Sequence, residues 1–253
     1  IYGTLQLLKK EPVSLKGQDF IEKAEYSCKS LITVINDILD FTKIEAGKLE
    51  IESISFSLKK VINCISTDML TTARSKEIDF NIVNTLNDDN WMGDPVRIGQ
   101  ILINIISNAI KFTQHGKVNL LLSQCETEDK MDALLIEVTD TGIGMDEQAL
   151  KSLFVRFVQA DNSTVRKFGG TGLGMSIVES LVHMMKGTIH ATSKIGKGTS
   201  IRVLLPLTKS SVCDSNKTYE NLTVDIPDLS DKYILIAEDN RVNQMIIKAN
   251  LAP

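Results

Sequence analysis

Apolar positions near the start of the chain repeat at the spacing of a packed helix. Ile21, Ala24, Cys28, Leu31, Ile35 and Ile38 alternate steps of three and four, the a/d seam of a helix in a bundle. Residues 1–10 read as a first helical arm, and Glu11-Pro12 through Gly17 as the turn before the second. A hairpin of two such arms completes its core by pairing with a copy of itself into a four-helix bundle, or packs as an ordinary helix on its own domain. The first arm starts without Met, signal-peptide pattern or N-cap, so the expectation is a fragment of a longer polypeptide.

From residue 50 to 207 the period alternates. Runs at 51–56, 78–83, 118–122, 134–139, 188–192 and 199–205 predict strands, several of them rich in β-branched residues. The intervals 58–73, 95–112, 147–158 and 173–186 predict helices, and Asp94-Pro95 supplies an N-cap and first-turn proline to one of them. The outline is an α/β sandwich. A polar stretch at 208–231 reads as a linker. The run Tyr233-Ile234-Leu235-Ile236-Ala237 then predicts a buried parallel strand. It ends in Glu238-Asp239-Asn240, where α/β folds place ligands. The expected organisation is 1–49, 50–207, 208–231 and 232–253.

Composition narrows the classes. With 253 residues, 43% hydrophobic and 24% charged, the chain is sized for about two globular domains, which excludes disordered and fibrous classes. A net charge of −4 gives no electrostatic reason to expect nucleic acid or an anionic membrane. The longest uncharged run, 98–110, is too short to span a bilayer and contains Gln100, Asn104 and Asn108, so a soluble piece is expected. Cys28, Cys64, Cys125 and Cys213 form no CxxC pair, and His115, His183 and His190 have no metal spacing; a reducing cytosol fits.

Candidate chemistry sits at four places. Asn104, Asn108 and Lys111 share one face of an otherwise apolar helix. Amide oxygens suit a hard cation such as Mg²⁺ and an ammonium suits phosphate, though an exposed polar stripe has the same pattern. Asp140-Thr141-Gly142-Ile143-Gly144-Met145 follows a strand; its aspartate could accept from an exocyclic amine or cap a turn. Gly169-Gly170-Thr171-Gly172-Leu173-Gly174 opens a helix, an anion-binding arrangement. The polar stretch before it lacks the strand a dinucleotide fingerprint needs. That stretch, 159–167, reads as a lid whose Arg166 and Lys167 could close on phosphates. Gly196-Lys197-Gly198-Thr199 is a tight turn into a strand.

The order Asn-Asn-Lys helix, DTGIGM, LFVRFVQAD, GGTGLGMSI, GKGT resembles the ATP-binding domain of sensor histidine kinases. The hairpin, with FTKIEAGKLEIE, resembles their dimerisation and phosphotransfer hairpin, and ILIAEDNRVNQ the opening of a receiver, as in a hybrid kinase. The implied fold is α+β: a helical hairpin forming a dimeric four-helix bundle, an α/β sandwich of the histidine kinase, gyrase and chaperone type, and the first strand and helix start of a flavodoxin-like receiver. By resemblance, Asn104 and Asn108 hold Mg²⁺ on ATP and Lys111 contacts the phosphates, Asn104 and Lys111 being the catalytic pair. Asp140 takes the adenine amine, with Gly142 and Gly144 allowing close approach and Phe112 and Ile143 lining the base. Gly170, Thr171, Gly172, Leu173 and Gly174 bind phosphate, Thr199 supports Asp140, Phe154 and Phe157 pack the lid, and Glu238 and Asp239 form part of a receiver Mg²⁺ site.

The resemblance further implies a homodimer through the hairpin and a receiver domain or response regulator as phosphoryl acceptor. It implies no nucleic acid, and membrane contact only through segments upstream, the chain being the cytoplasmic portion of an inner-membrane-anchored sensor. The phosphoacceptor histidine would lie about ten residues upstream of Ile1. Two other readings remain at this point: an ATPase of the gyrase, mismatch-repair or chaperone type, and a non-catalytic signalling scaffold. Those ATPases carry glutamate where this chain has Asn104, and an amide is a poor base.

Overall fold

Where apolar period, caps and turn residues agree, the observed elements follow them closely. In the computed structural model, residues 1–9, 12–86, 89–126, 132–156, 158, 172–210 and 235–251 are described. The chain divides into two compact units: Ile1–Asn36 with the C-terminal helix, and a larger unit beginning at Asp37.

Helices α1 (Tyr2–Leu8) and α2 (Leu15–Glu45) are the two predicted helical arms. The turn is shorter than 11–17, because the Ser14 hydroxyl accepts from Gly17 N at 3.2 Å and so starts α2 early. Along the seam Ile21 is buried, whereas Leu31, Ile35 and Ile38 are 58%, 47% and 47% exposed within a single chain.

The larger unit runs β1 (Ile54–Ser57), α3 (Leu58–Ser75), β2 (Ile78–Asn84), β3 (Asn90–Gly93), α4 (Pro95–Phe112), β4 (Gly116–Glu126), β5 (Asp132–Asp140), α5 (Glu147–Lys151), α6 (Gly174–Met184), β6 (Thr188–Lys194) and β7 (Gly198–Pro206). The main sheet has the order β2-β4-β5-β7-β6; only β2 and β4 are parallel. Alternation decides its faces: Leu134, Ile136 and Val138 of β5 are buried in the core, while Glu137 holds Arg202 at 3.2 Å on the other side. Helices α3, α4 and α6 supply the opposing layer. In α4, Ile98, Ile101, Leu102, Ile105, Ile106 and Ile110 are essentially inaccessible, each burial worth roughly 1.5–3 kcal/mol. Asp94 starts this helix by accepting from Val96 N and Arg97 N, both 3.0 Å, and also takes Glu52 N at 3.1 Å.

Several boundaries differ from expectation. The strand predicted at 51–56 forms at Ile54–Ser57, paired with the unpredicted β3. The predicted linker opens as a continuation of that small sheet: Met92 N donates to Thr208 O (2.8 Å) and Ser210 N to Asn90 O (3.0 Å), over a fully buried Trp91. The helix predicted at 147–158 stops at Lys151, since the Ser152 amide and hydroxyl take the Gln148 and Ala149 carbonyls. Of the predicted strand 233–237, Tyr233 and Ile234 lie outside the described residues; Leu235, Ile236 and Ala237 are irregular and Leu235 is 96% exposed. Helix α7 (Arg241–Leu251) follows and packs on α1, where Gly3 leaves room for Ile246. No described helix is long and apolar enough to cross a membrane. Cys28, Cys64 and Cys125 are free thiols, and Cys213 lies outside the described residues.

The core role of α4 is testable. Ile105→Ala is expected to lower stability by about 2–5 kcal/mol, read as a lower urea midpoint at unchanged slope. A loss under about 1 kcal/mol would mean that the core does not depend on this helix.

Candidate functional site

Burial of the apolar sides of α4 leaves one stripe carrying Asn104, Asn108 and Lys111 less covered. The Asn104 amide donates to Gln100 O at 3.1 Å. Its Oδ1 lies where a Cβ on Gly174 would come within 2.8 Å, so a side chain at the start of α6 would displace this amide. Gly172 and the buried Leu173 lead into that helix. The Lys111 ammonium lies 5.0 Å from the Phe112 ring centre. Burial first, and repulsion from Lys76 second, lower its pKa.

Asp140 ends β5 and is buried. One carboxylate oxygen accepts from Gly142 N (2.8 Å) and Thr199 N (3.3 Å). Burial raises this carboxyl above its ordinary value, and those two amides oppose the rise without cancelling it. The following loop is tied on both sides. Ile143 N donates to Phe112 O at the end of α4 (3.2 Å), and Gly196 N in the β6–β7 turn donates to Ile143 O (2.8 Å). Gly144 has φ +66° and faces the Lys194 carbonyl where a Cβ would stand. Met145 N donates to Ser193 Oγ (2.8 Å), which donates to Gly198 O (3.0 Å) and contacts the Thr199 hydroxyl (2.9 Å).

The fold therefore brings Phe112, Asp140, Gly142, Ile143, Gly144 and Thr199 together, and joins Asn104 to Gly174. Phe154 is partly buried against the core. Arg166, Lys167, Gly170 and Thr171 lie outside the described residues, as do Phe157 and the whole predicted lid at 159–167. Glu238 and Asp239 precede α7 in the smaller unit, where Glu238 Oε1 accepts from Asn240 N at 2.9 Å. Among the described residues no group of three or more His, Cys, Asp and Glu is placed to hold a metal. Ser193 and Lys76 were not anticipated. A serine on a polar edge strand and a lysine ending a helix carry no distinguishing sequence signal.

Chemically, the donors fit an adenine nucleotide with a hard cation. Asp140 offers a buried acceptor to an exocyclic amine, Ile143 is a half-exposed apolar group beside it, and α4 offers two amides and an ammonium. Residues 93–209 match the family described as histidine kinase-, DNA gyrase B-, and HSP90-like ATPase. The autoinducer 2 sensor kinase/phosphatase LuxQ of Vibrio vulnificus is 37% identical over 98% of this chain and 29% of its own length. The sensor histidine kinase GacS of Pseudomonas protegens is 39% identical over 83% of this chain and 23% of its own length. The chain thus spans less than a third of these relatives. The crystal structure of full-length ShkA in complex with AMPPNP is similar with a TM-score of 0.67 and 25% identity, covering 84% of this chain and 43% of that one.

Because the carboxyl pKa is raised, ionised Asp140 is a cost to the unliganded fold that sets in as pH rises through that pKa. Asp140→Asn is therefore expected to keep or raise the melting temperature at neutral pH while weakening adenine-nucleotide binding about tenfold or more. In the parent, affinity should fall as pH drops through the carboxyl's pKa. Unchanged nucleotide affinity in the variant, measured by calorimetry, would remove Asp140 from the site.

Proposed function

Residues 93–209 belong to the histidine kinase-, DNA gyrase B- and HSP90-like ATPase family, in a chain whose relatives are sensor histidine kinases, and from this premise we propose that it is the ATP-binding core of a hybrid protein-histidine kinase. The observation that carries the reading is the Phe112–Ile143 hydrogen bond. It locks a buried acceptor, Asp140, at a fixed distance from the amide and ammonium stripe of α4. A carboxylate acceptor at one end and amide and ammonium groups along the helix correspond to the base and the phosphates of a nucleoside triphosphate.

In this reading Asp140 accepts from the adenine amine, held in place by Gly142 and Thr199, while Phe112 and Ile143 cover the base. Asn104 and Asn108 hold Mg²⁺ with the triphosphate, and Lys111 places its ammonium on the phosphates. Gly170, Thr171, Gly172, Leu173 and Gly174 present backbone amides to phosphate, and Arg166 and Lys167 add lid cations. The divalent ion, when bound, neutralises charge on the transferring phosphoryl group. Asn104 and Lys111 orient that group toward an imidazole nucleophile, which needs no strong base from this site. The nucleophile is a hairpin histidine upstream of Ile1, since His115, His183 and His190 all belong to the sandwich. The uncovered Leu31, Ile35 and Ile38 pair with a second chain. The phosphoryl group then passes to a receiver aspartate, in a domain opened by Glu238 and Asp239 as Mg²⁺ ligands.

The test uses a longer form of the polypeptide carrying the hairpin histidine, with Mg²⁺ and γ-labelled ATP. Label is expected on protein through an acid-labile, alkali-stable bond. Free phosphate without labelled protein would favour an ATPase, and neither product a scaffold. Asn108→Ala is expected to lose Mg²⁺-dependent nucleotide affinity; equal affinity with and without Mg²⁺ in both proteins would refute that role.

A further inference from the structure

We infer that Lys76 is a positioning residue for the nucleotide: it caps the C-terminal end of α4 and adds a second positive charge against the backbone that carries Lys111. The inference rests on the ATP-binding reading above.

Lys76 follows the last turn of α3, and Glu77, at φ +57°, turns the chain into β2. From there the Lys76 ammonium reaches across to donate to Ile110 O at 3.2 Å. The last carbonyls of a helix lack partners within it and carry its negative partial charge. In α4 they are taken one by one: Ala109 O by the Thr113 amide (3.1 Å) and hydroxyl (2.8 Å), Ile110 O by Lys76, and Phe112 O by Ile143 N (3.2 Å). Thr113 and Ile143 are neutral donors, and Lys76 brings a full charge to the carbonyl next to Lys111. Ile110 is the residue before Lys111, so the Lys76 ammonium sits against the backbone from which Lys111 extends, and its charge adds to the burial that disfavours the charge on Lys111.

Two cations held together at a helix end repel each other until a polyanion arrives, which reverses the sign of their environment. The benefit grows with ligand charge, so Lys76 favours ATP over ADP and both over adenosine. A purely structural cap would affect all three alike. Lys76→Gln keeps an N–H donor and removes the charge, whereas Lys76→Arg keeps both.

Calorimetric titrations of the chain with ATP, ADP and adenosine, with Mg²⁺ at low and high salt, separate these cases. Lys76→Gln is expected to weaken ATP binding about three- to tenfold at low salt, ADP less, and adenosine not at all. The gap should narrow at high salt, and Lys76→Arg should restore ATP affinity. The ATP-to-adenosine affinity ratio is the decisive quantity, being independent of how much of a variant is folded. Parental ratios in Lys76→Gln, or an equal, salt-insensitive loss for all three ligands, would overturn the inference. A parent chain that binds no ATP would instead overturn the ATP-binding reading itself.

Discussion

Helix α4 can bury five of its six isoleucines together in only one rotational setting, and the candidate site takes its geometry from that. Ile98, Ile101, Leu102, Ile105, Ile106 and Ile110 face the sheet, α3 and α6, which leaves the stripe of Asn104, Asn108 and Lys111. Rotating the helix by one residue would submerge an amide and expose an isoleucine, at a cost of several kcal/mol for the pair. The direction of this stripe is therefore set by the hydrophobic effect. The ends are fixed by polar contacts: Asp94 takes two first-turn amides, and the Phe112 carbonyl takes Ile143 N.

The charged groups show what that rigidity costs. Burial pushes the Asp140 carboxyl up and the Lys111 ammonium down, so both are pressed toward their neutral forms. A carboxylate answers an amine donor and an ammonium answers a phosphate, so one ligand with both features relieves both groups. The loop after Asp140 agrees. A mere turn would not need Ser193 to gather Met145, Gly198 and Thr199 into one network.

Helix α4 was legible because cap, first-turn proline and apolar period all point to the same residues. Asp140 was legible as a strand-end acid before two glycines, but its role depended on the order of the motifs, since each alone has a structural reading. Strand β3 was not legible: Asn90-Trp91-Met92-Gly93 is only four residues, with two apolar side chains in succession rather than an apolar–polar alternation. It forms because β1 and residues 208–210 supply ladders from distant parts of the chain, around a buried Trp91. The described part of the run at 233–237 is the opposite case: Leu235, Ile236 and Ala237 have the apolar composition of a buried strand and form no ladder among the described residues.

The larger unit begins at Asp37, within helix α2, so the last turns of α2 belong to it. Their side chains show why. Asp40 holds Arg97 at 3.1 Å and accepts from Gln100 at 2.8 Å, both on α4. Glu45 holds Arg156 at 2.6 Å, and the Arg156 guanidinium lies 5.2 Å from the Phe41 ring centre. The side chains of the first ion pair are 20% and 16% exposed, against 46% and 48% for the second, so Asp40 contributes more and is less screened by salt. The end of α2 is thereby bound to the first two turns of the helix that presents Asn104.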